Sequence, residues 1–505
     1  MSAHIISQPG LQSYHRRCYF GVYMDLTPTT LARIILLLLL IASPSSRANS
    51  LPAISDHTAT GMSIEDEYRF GNVIAGSIHQ QVPLWQDLAA LSFLQDISQP
   101  MISHSQLTNK QLRLFIVRDN HINAFAAPGG IIGINTGLIQ QAASVDELAA
   151  VIAHEVGHLS LRHYVQTQAQ EKSQAPLVLG AFLASIWIAT NIDSDIGEAG
   201  LYATQSALQR SQLSFSRVHE RQADRIGFEL MRQSPFNVNH MQRLLARLQS
   251  PYTPNAAAWK WARSHPVTNE RVADISQRAM TINSSLTEHG FDLGFELLRM
   301  YQRLNLASTP LPSIANLVMD IDELSPQYGL LVDYATALTN QRLSAFELAA
   351  AQLESIHQQQ PQAQLIWYSW MNALLASRKH DELFEQLRLR KLQRHEDQLS
   401  LWVTAQTLYS NQQTTAAIRS LWHTLEKQPN WVLGWRTLGE WSAQAHRQQL
   451  HHAAKSRWHL LRGEAELALQ QAEYGLLQTP DRLIKEAQLY KQQAQQLHRD
   501  QLEFN

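Results

Sequence analysis

The sequence predicts a mostly α-helical chain with one small β-sheet, ending in an α-solenoid. Apolar residues recur at helical spacing over most of its 505 positions. Residues 112–139 alone switch to β-branched runs broken by turn residues. In the last third, prolines and small residues return with a period near 34, the length of one helix–turn–helix repeat.

At the N-terminus, Ile34 to Ala42 is an unbroken apolar run, with Arg33 before it and Ser43-Pro44-Ser45-Ser46-Arg47-Ala48 after it. A membrane-spanning helix needs about 20 such residues, so residues 1–48 read instead as a secretory signal peptide cleaved after Ala48, with Met24 as an alternative start. The only cysteine, Cys18, lies in that leader, which excludes a disulfide framework and any Cys-rich zinc finger. A thiol-free mature chain suits export to an oxidising compartment. With 41 basic and 43 acidic side chains there is no general reason to expect nucleic acid, and 45% apolar residues exclude disorder. The 22 histidines leave room for a metal site.

Residues 63–107 read as helix broken at Pro83. Leu112 to Val117, Ile122 to Ala127 and Ile131 to Ile139 read as three strands in a small meander, turned at Asp119-Asn120 and at Pro128-Gly129-Gly130. Ser144-Val145-Asp146-Glu147 has capping-box spacing, so a helix should run from Val145 to about Gln168. Pro176 to Thr190 is apolar but short for a bilayer; it reads as a buried helix, or as a lid or a membrane- or client-facing surface. A further helix should cover Ser214 to Gln233 and stop at Ser234-Pro235. Residues 308–325, around Pro310 and Pro312, read as a linker between a domain at 49–307 and a repeat domain at 326–505.

In that tail Pro326, Pro361 and Pro429 are spaced at or near multiples of 34. Ala337 and Ala405, then Ala349 and Ala417, hold matching offsets, with Ala468 in the last unit before Pro480. Small residues where paired helices approach, at this period, are the tetratricopeptide signature, and such arrays present a concave binding face. Its many tryptophans read mainly as inter-helix packing, and His451, His452 and His459 as solvated positions.

The capped helix carries His154-Glu155-Val156-Gly157-His158. Two histidines four apart share one helix face and can bind one ion, usually zinc in this motif, which predicts one Zn²⁺ per chain. Glu155, beside them and not needed as a ligand, is placed to take a proton from water and pass it to a leaving amine. His163 reads as surface. For a third ligand the best candidate is Glu220, which shares a helix face with Asp224. Asp224 would accept from a ligand imidazole or serve as a proton donor. The competing reading is an acidic solvated face paired with Arg217, Arg221 and Arg225.

HExxH followed by Glu-x-x-Ala-Asp resembles the zinc metallopeptidase family that includes the CAAX prenyl proteases. The likeness runs from about Glu65 to the C-terminus and is strongest at Asn123 to Gly130, His154 to His158, Ser216 to Gly227 and Ser264-His265-Pro266. It implies a zincin-like metallopeptidase domain in which His154, His158 and Glu220 bind zinc, Glu155 is the general base and Asp224 a second acidic active-site residue. Leader, peptidase domain and repeats together resemble the family's periplasmic members. By that resemblance the chain would be an endopeptidase acting on misassembled outer-membrane proteins, and also a chaperone of β-barrel assembly that meets the assembly machinery through its repeats, with peripheral membrane contact. The alternative is a non-proteolytic repeat scaffold with a secondary metal site. Asn123, Ala124, Phe125 and Ala126 would form an edge strand that receives substrate. His265 would either stabilise the oxyanion or plug the open metal position.

Overall fold

Ser63 accepts from the Asp66 amide at 3.0 Å and opens α1 (Ile64–Gln81), whose first turn carries Glu65, Asp66 and Glu67, charges that a helix N-terminus favours. The computed structural model describes residues 62–166, 216–250, 260–282, 290–393, 397–478 and 487–504, all within one unit, Asp56–Asn505. The expected leader, the apolar segment 176–190, and Pro480 lie outside the described residues. Pro83 separates α1 from α2 (Leu88–His104), which Asp87 caps by accepting from the Ala90 amide at 2.9 Å. Among the described residues no helix is long and apolar enough to cross a membrane.

The sheet comprises β1 (Arg113–Val117), β2 (Ala124–Ala127) and β3 (Ile131–Asn135) in the order β1-β3-β2, with β1 parallel and β2 antiparallel to β3. This corrects the expected meander. Asp119 does turn the chain, but its carboxylate accepts from the His121 amide and the Asn135 side chain, and its own amide donates to Thr136 Oγ1. The loop is thereby tied to the far end of β3 and cannot fold β2 back on β1. Gly129 and Gly130, at φ +79° and +76°, make the tight turn from β2 to β3, a conformation that strains other residues. The third run stops being a strand at Asn135 and continues as α3 (Thr136–Gln141), so the strand expected to reach Ile139 was drawn too long.

α4 (Val145–Ser160) starts as its capping sequence requires: Ser144 Oγ accepts from the Glu147 amide at 3.2 Å, and Glu147 Oε2 accepts from the Ala143 amide at 2.7 Å, one residue further back than a standard box. It ends earlier than the expected Gln168, just before Arg162 at φ +51°. Next come α5 (Arg217–Arg232), α6 (Asn239–Gln249), α7 (Trp261–Ser264), α8 (Asn269–Met280) and α9 (Phe291–Asn305). The expected linker contains a short helix, α10 (Ile314–Val318), with Leu317 and Val318 buried and Arg303 donating to the Leu317 carbonyl.

Among the described residues the tail is ten helices in five pairs: α11 (Tyr328–Arg342) with α12 (Phe346–Gln359), α13 (Gln364–Ala376) with α14 (His380–Gln393), α15 (Gln398–Ser410) with α16 (Thr414–Lys427), α17 (Val432–Gln444) with α18 (Gln448–Leu461), and α19 (Ala465–Leu476) with α20 (Ala487–Phe504). Ala337, Ala349, Ala405, Ala417 and Ala468 are fully buried where helices approach. A second period lies in the backbone. Ser344, Arg378, Gln412 and His446, each 34 residues after the last, all have positive φ and end the first helix of a pair. In each case the following amide donates five residues back, as from Gln413 to the Leu408 carbonyl, the hydrogen bond of a Schellman cap. Trp367, Trp370, Trp431, Trp435 and Trp441 are buried, as the packing reading expects. His451 and His452 are not solvated as expected: half-buried, they bond the Gly439 carbonyl and Gln471 on neighbouring helices, and His459 meets Glu464.

The solenoid packs against the N-terminal helices. Arg69 of α1 meets Asp500 of α20 at 2.6 Å, and Gln80 donates to the Arg462 carbonyl at 2.7 Å. Gly76 lies against Gly463 so closely that a Cβ there would come within 2.5 Å of the Gly463 Cα.

Candidate metal centre

α4 and α5 cross with their backbones touching. A Cβ on Gly157 would lie 2.7 Å from the Ala223 carbonyl oxygen, and one on Gly227 would lie 3.0 Å from the His154 amide nitrogen. Two glycines therefore let one helix's histidines and the other's carboxylates share one buried space. His154, Glu155, His158, Glu220 and Asp224 are each no more than 2% exposed. The solvated acidic face is thus excluded for Glu220 and Asp224; Arg221 and Arg225 pair instead with Glu270 and Asp274 of α8.

Within that space His154 Nε2 and His158 Nε2 are 3.0 Å apart. Glu220 lies across from them, its Oε2 3.5 Å from His154 Nε2 and its Oε1 3.4 Å from His158 Nε2. His265, just after α7, completes the cluster: its Nδ1 is 3.0 Å from Glu220 Oε1 and 3.2 Å from His154 Nε2. One donor atom from each of these four buried residues lies within 4.8 Å of every other. A tetrahedral cation with bonds of about 2.0–2.1 Å holds its ligands roughly 3.3 Å apart, so the spacing fits. The chemistry fits as well, because facing imidazole nitrogens and a buried carboxylate are a donor set that a borderline divalent ion completes. Glu220 Oε2 has no hydrogen bond; Arg271 Nη1 lies 2.8 Å away but outside hydrogen-bond geometry.

Around the cluster sit groups that aim it. Asp224 Oδ1 meets His154 Nδ1 at 2.9 Å, which favours a proton on Nδ1 and turns Nε2 inward. Arg271 of α8 grips Asp224 with Nε at 2.6 Å and Nη2 at 2.8 Å, and its Nη1 donates to the carbonyls of His265 and Pro266. Trp261 Nε1 donates to Glu155 Oε1 at 2.9 Å, while Glu155 Oε2 is buried without a hydrogen bond. His163 corrects its surface reading: fully buried, it places Nδ1 3.0 Å from His158 Nδ1, bonds Gln222 and stacks on His219. Leu161 and Arg162 end the helix, so spacing counted along a regular helix misplaces it.

Arg271 and Trp261 were not singled out from the sequence. Neither carries a local signal: an arginine and a tryptophan near the starts of short helices both resemble ordinary packing residues until the fold closes over them.

The charges respond to this burial. Burial pulls the His154 imidazole down, but Asp224 and Glu220 outweigh it and hold the group up at about 9. For His158 burial dominates, only partly offset by Glu220, and its pKa falls well below the ordinary value. Burial pushes Glu220 up, yet the charge of His265 and the hydrogen bonds of the three imidazoles bring it well below the carboxylate range. Asp224 is likewise held low against burial, chiefly by Arg271.

β2 is the margin of the sheet nearest α4. Ala124 and Ala127 are buried, and Phe125 pairs with Gly133, its ring filling the space a side chain there would take. Asn123 precedes the strand and accepts from the Asn135 amide.

A buried His–His–Glu cluster on two crossed helices, completed by a histidine from a third segment and with a further carboxylate beside it, defines the catalytic domain of a metallopeptidase. Residues 92–279 match peptidase family M48, and the chain carries a metallopeptidase domain of that family. It is similar to the beta-barrel assembly-enhancing protease of Yersinia pestis, 25% identical over 426 residues that cover 83% of this chain and 86% of the relative. The Escherichia coli protein of the same name is 25% identical over 48% of this chain and 50% of its own length. The mitochondrial metalloendopeptidase OMA1 of Schizosaccharomyces pombe is 29% identical over 35% of this chain and 49% of its own length. The chain thus spans about half the length of two of these three relatives.

Proposed function

We propose that this chain is a zinc-dependent endopeptidase of the periplasm that cleaves misassembled outer-membrane proteins and also promotes β-barrel assembly. In this reading residues 1–48 direct export, 49–307 form the peptidase domain, 308–325 link, and 326–505 are tetratricopeptide repeats that meet the assembly machinery. The observation that carries it is the convergence of His154, His158 and Glu220 from two helices, with Glu155 beside them. The names of the relatives, barrel assembly-enhancing proteases, support the client class.

Zinc bound there would supply an acidified water and an electrophile for the scissile carbonyl. Glu155 accepts a proton at Oε2 and returns it to the leaving amine, while Trp261 fixes Oε1 so that the other oxygen stays aimed. Asp224 holds the His154 tautomer, with Arg271 keeping Asp224 ionised. The substrate backbone pairs with β2 at Asn123 to Ala126, which reads no sequence and suits varied clients. A bound peptide mapped wholly away from β2 would refute that placement.

His265 belongs to this account as a plug that takes the position needed by substrate and water, since its Nδ1 sits at the same donor cluster as the three ligands. His265→Ala should raise peptidase turnover; a fall would assign it to transition-state stabilisation instead. The proposal as a whole is tested by Glu155→Gln, which should retain zinc and lose cleavage. If Glu155→Gln restored every cellular defect of a deletion strain, the repeats alone would account for the function.

A further inference from the structure

Between α1, β1 and the last repeats lies a second cavity of about 250 Å³, which shares no residue with the metal centre. Its walls mix apolar and aromatic residues, Trp85, Phe115 and Trp431 among them, with polar ones, and Arg113, Arg457 and the carboxylate of Glu65 are set into them. Arg113 lies over the Tyr68 ring, 4.7 Å from its centre. Arg457 reaches only Gln493 Oε1 and the Pro429 carbonyl, each at 3.5 Å, the outer limit of a hydrogen bond. Among the described residues neither guanidinium meets a carboxylate, whereas Arg69 at the same rim is neutralised by Asp500 at 2.6 Å. Burial is the main cause lowering the pKa of both arginines. Guanidinium nevertheless stays charged in proteins, and like charges held in a shielded space favour an incoming anion.

The strand beside the cavity narrows the choice of anion. On the outer edge of β1 the Ile116 carbonyl accepts from the Trp85 amide at 2.8 Å. By strand alternation the backbone of Leu114, which lines the cavity, faces the same edge. Whole-ligand pockets run to roughly 300–1,000 Å³, so this cavity is sized for one chain terminus.

We infer that the cavity binds the C-terminal end of an extended polypeptide, with Arg113 and Arg457 taking the α-carboxylate, the aromatic wall taking an apolar last side chain, and the Leu114 backbone taking the residue before it. A protease so equipped would hold a client by its end independently of where it cuts. The inference does not rest on the peptidase reading, because binding is measured on a chain that does not cleave.

The test uses the full chain carrying Glu155→Gln and an N-terminally fluorescent heptapeptide ending in phenylalanine, either as the acid or as the C-terminal amide, read by anisotropy. The acid should bind at least tenfold tighter than the amide. Arg113→Gln with Arg457→Gln should erase that preference, and the paired Lys variants, which keep charge and fold, should retain much of it. In the otherwise native chain the Gln pair should leave hydrolysis of a short peptide that does not enter the cavity unchanged. Equal binding of acid and amide would overturn the proposal. So would a preference that survives the Gln pair, or binding of dodecanoate with none of the peptide.

Discussion

The metal centre and the solenoid are built by opposite means. In the solenoid a pattern repeats about every 34 residues, contacts run mainly between sequence neighbours, and most buried positions are small or apolar. At the metal centre residues 154, 224, 265 and 271, from four separate segments, meet through charged groups that are almost wholly shielded from water. Stability in the first is nearly a sum of local terms, so a change there should be felt locally. In the second, each charge is tolerable only because its partners are in place, so removing one leaves the others exposed to the full desolvation penalty.

That contrast predicts a graded series. The largest effect belongs to Glu155→Gln, expected to lower peptidase turnover by about 10²–10⁴-fold with little change in the melting temperature, since general acid–base catalysis contributes on that scale. Arg271→Ala should destabilise the fold by about 3–5 kcal/mol in urea titrations, because Asp224 and Glu220 would lose the cation they share. Leu at Ala417 overfills a fully buried helix contact, and urea titration should register a smaller loss of about 1–3 kcal/mol, with the metal content unaltered.

His79 of α1 sits between the sheet and the solenoid. Its ring packs on Phe115, and burial followed by the charge of Arg462 lowers its pKa from 6.5 to about 4. The folded chain therefore binds that proton less readily than the unfolded chain. Its contribution is intact above pH 6.5 and is lost as pH falls towards 4, by at most about 3 kcal/mol. His79→Gln should flatten the pH dependence of stability in that window; an unchanged slope would mean the ring takes up its proton without penalty. The smallest effect is a gain. Gln412 holds a left-handed conformation at φ +61°, and Gln412→Gly should stabilise by about 0.5–1 kcal/mol in thermal unfolding.

The same contrast decides what could be read from the sequence. The helices of the solenoid were legible because their period is local, as was the cap at Ser144. The left-handed turns at Ser344, Arg378, Gln412 and His446 were not, since no glycine marks them. In the peptidase domain the spacing of His154 and His158 and of Glu220 and Asp224 stood out because each pair lies on one helix. Strand order did not, because Thr136 and Asn135 tie the Asp119 loop across β3 through contacts that no local pattern encodes. Arg271, Trp261 and the burial of His163 were invisible for the same reason. Each takes its meaning from a neighbour distant in sequence or from a break in helix geometry.

Hydrolysis at this site requires Glu220 of α5 and the histidines of α4 to share one ion. Zinc per chain, measured by plasma mass spectrometry after dialysis of the purified native protein, Glu155→Gln and Glu220→Ala, addresses this directly. The account predicts about one equivalent in the native chain and in Glu155→Gln, and a loss of at least most of it in Glu220→Ala. Full zinc retention by Glu220→Ala, or a native chain that holds none after zinc loading, would contradict it.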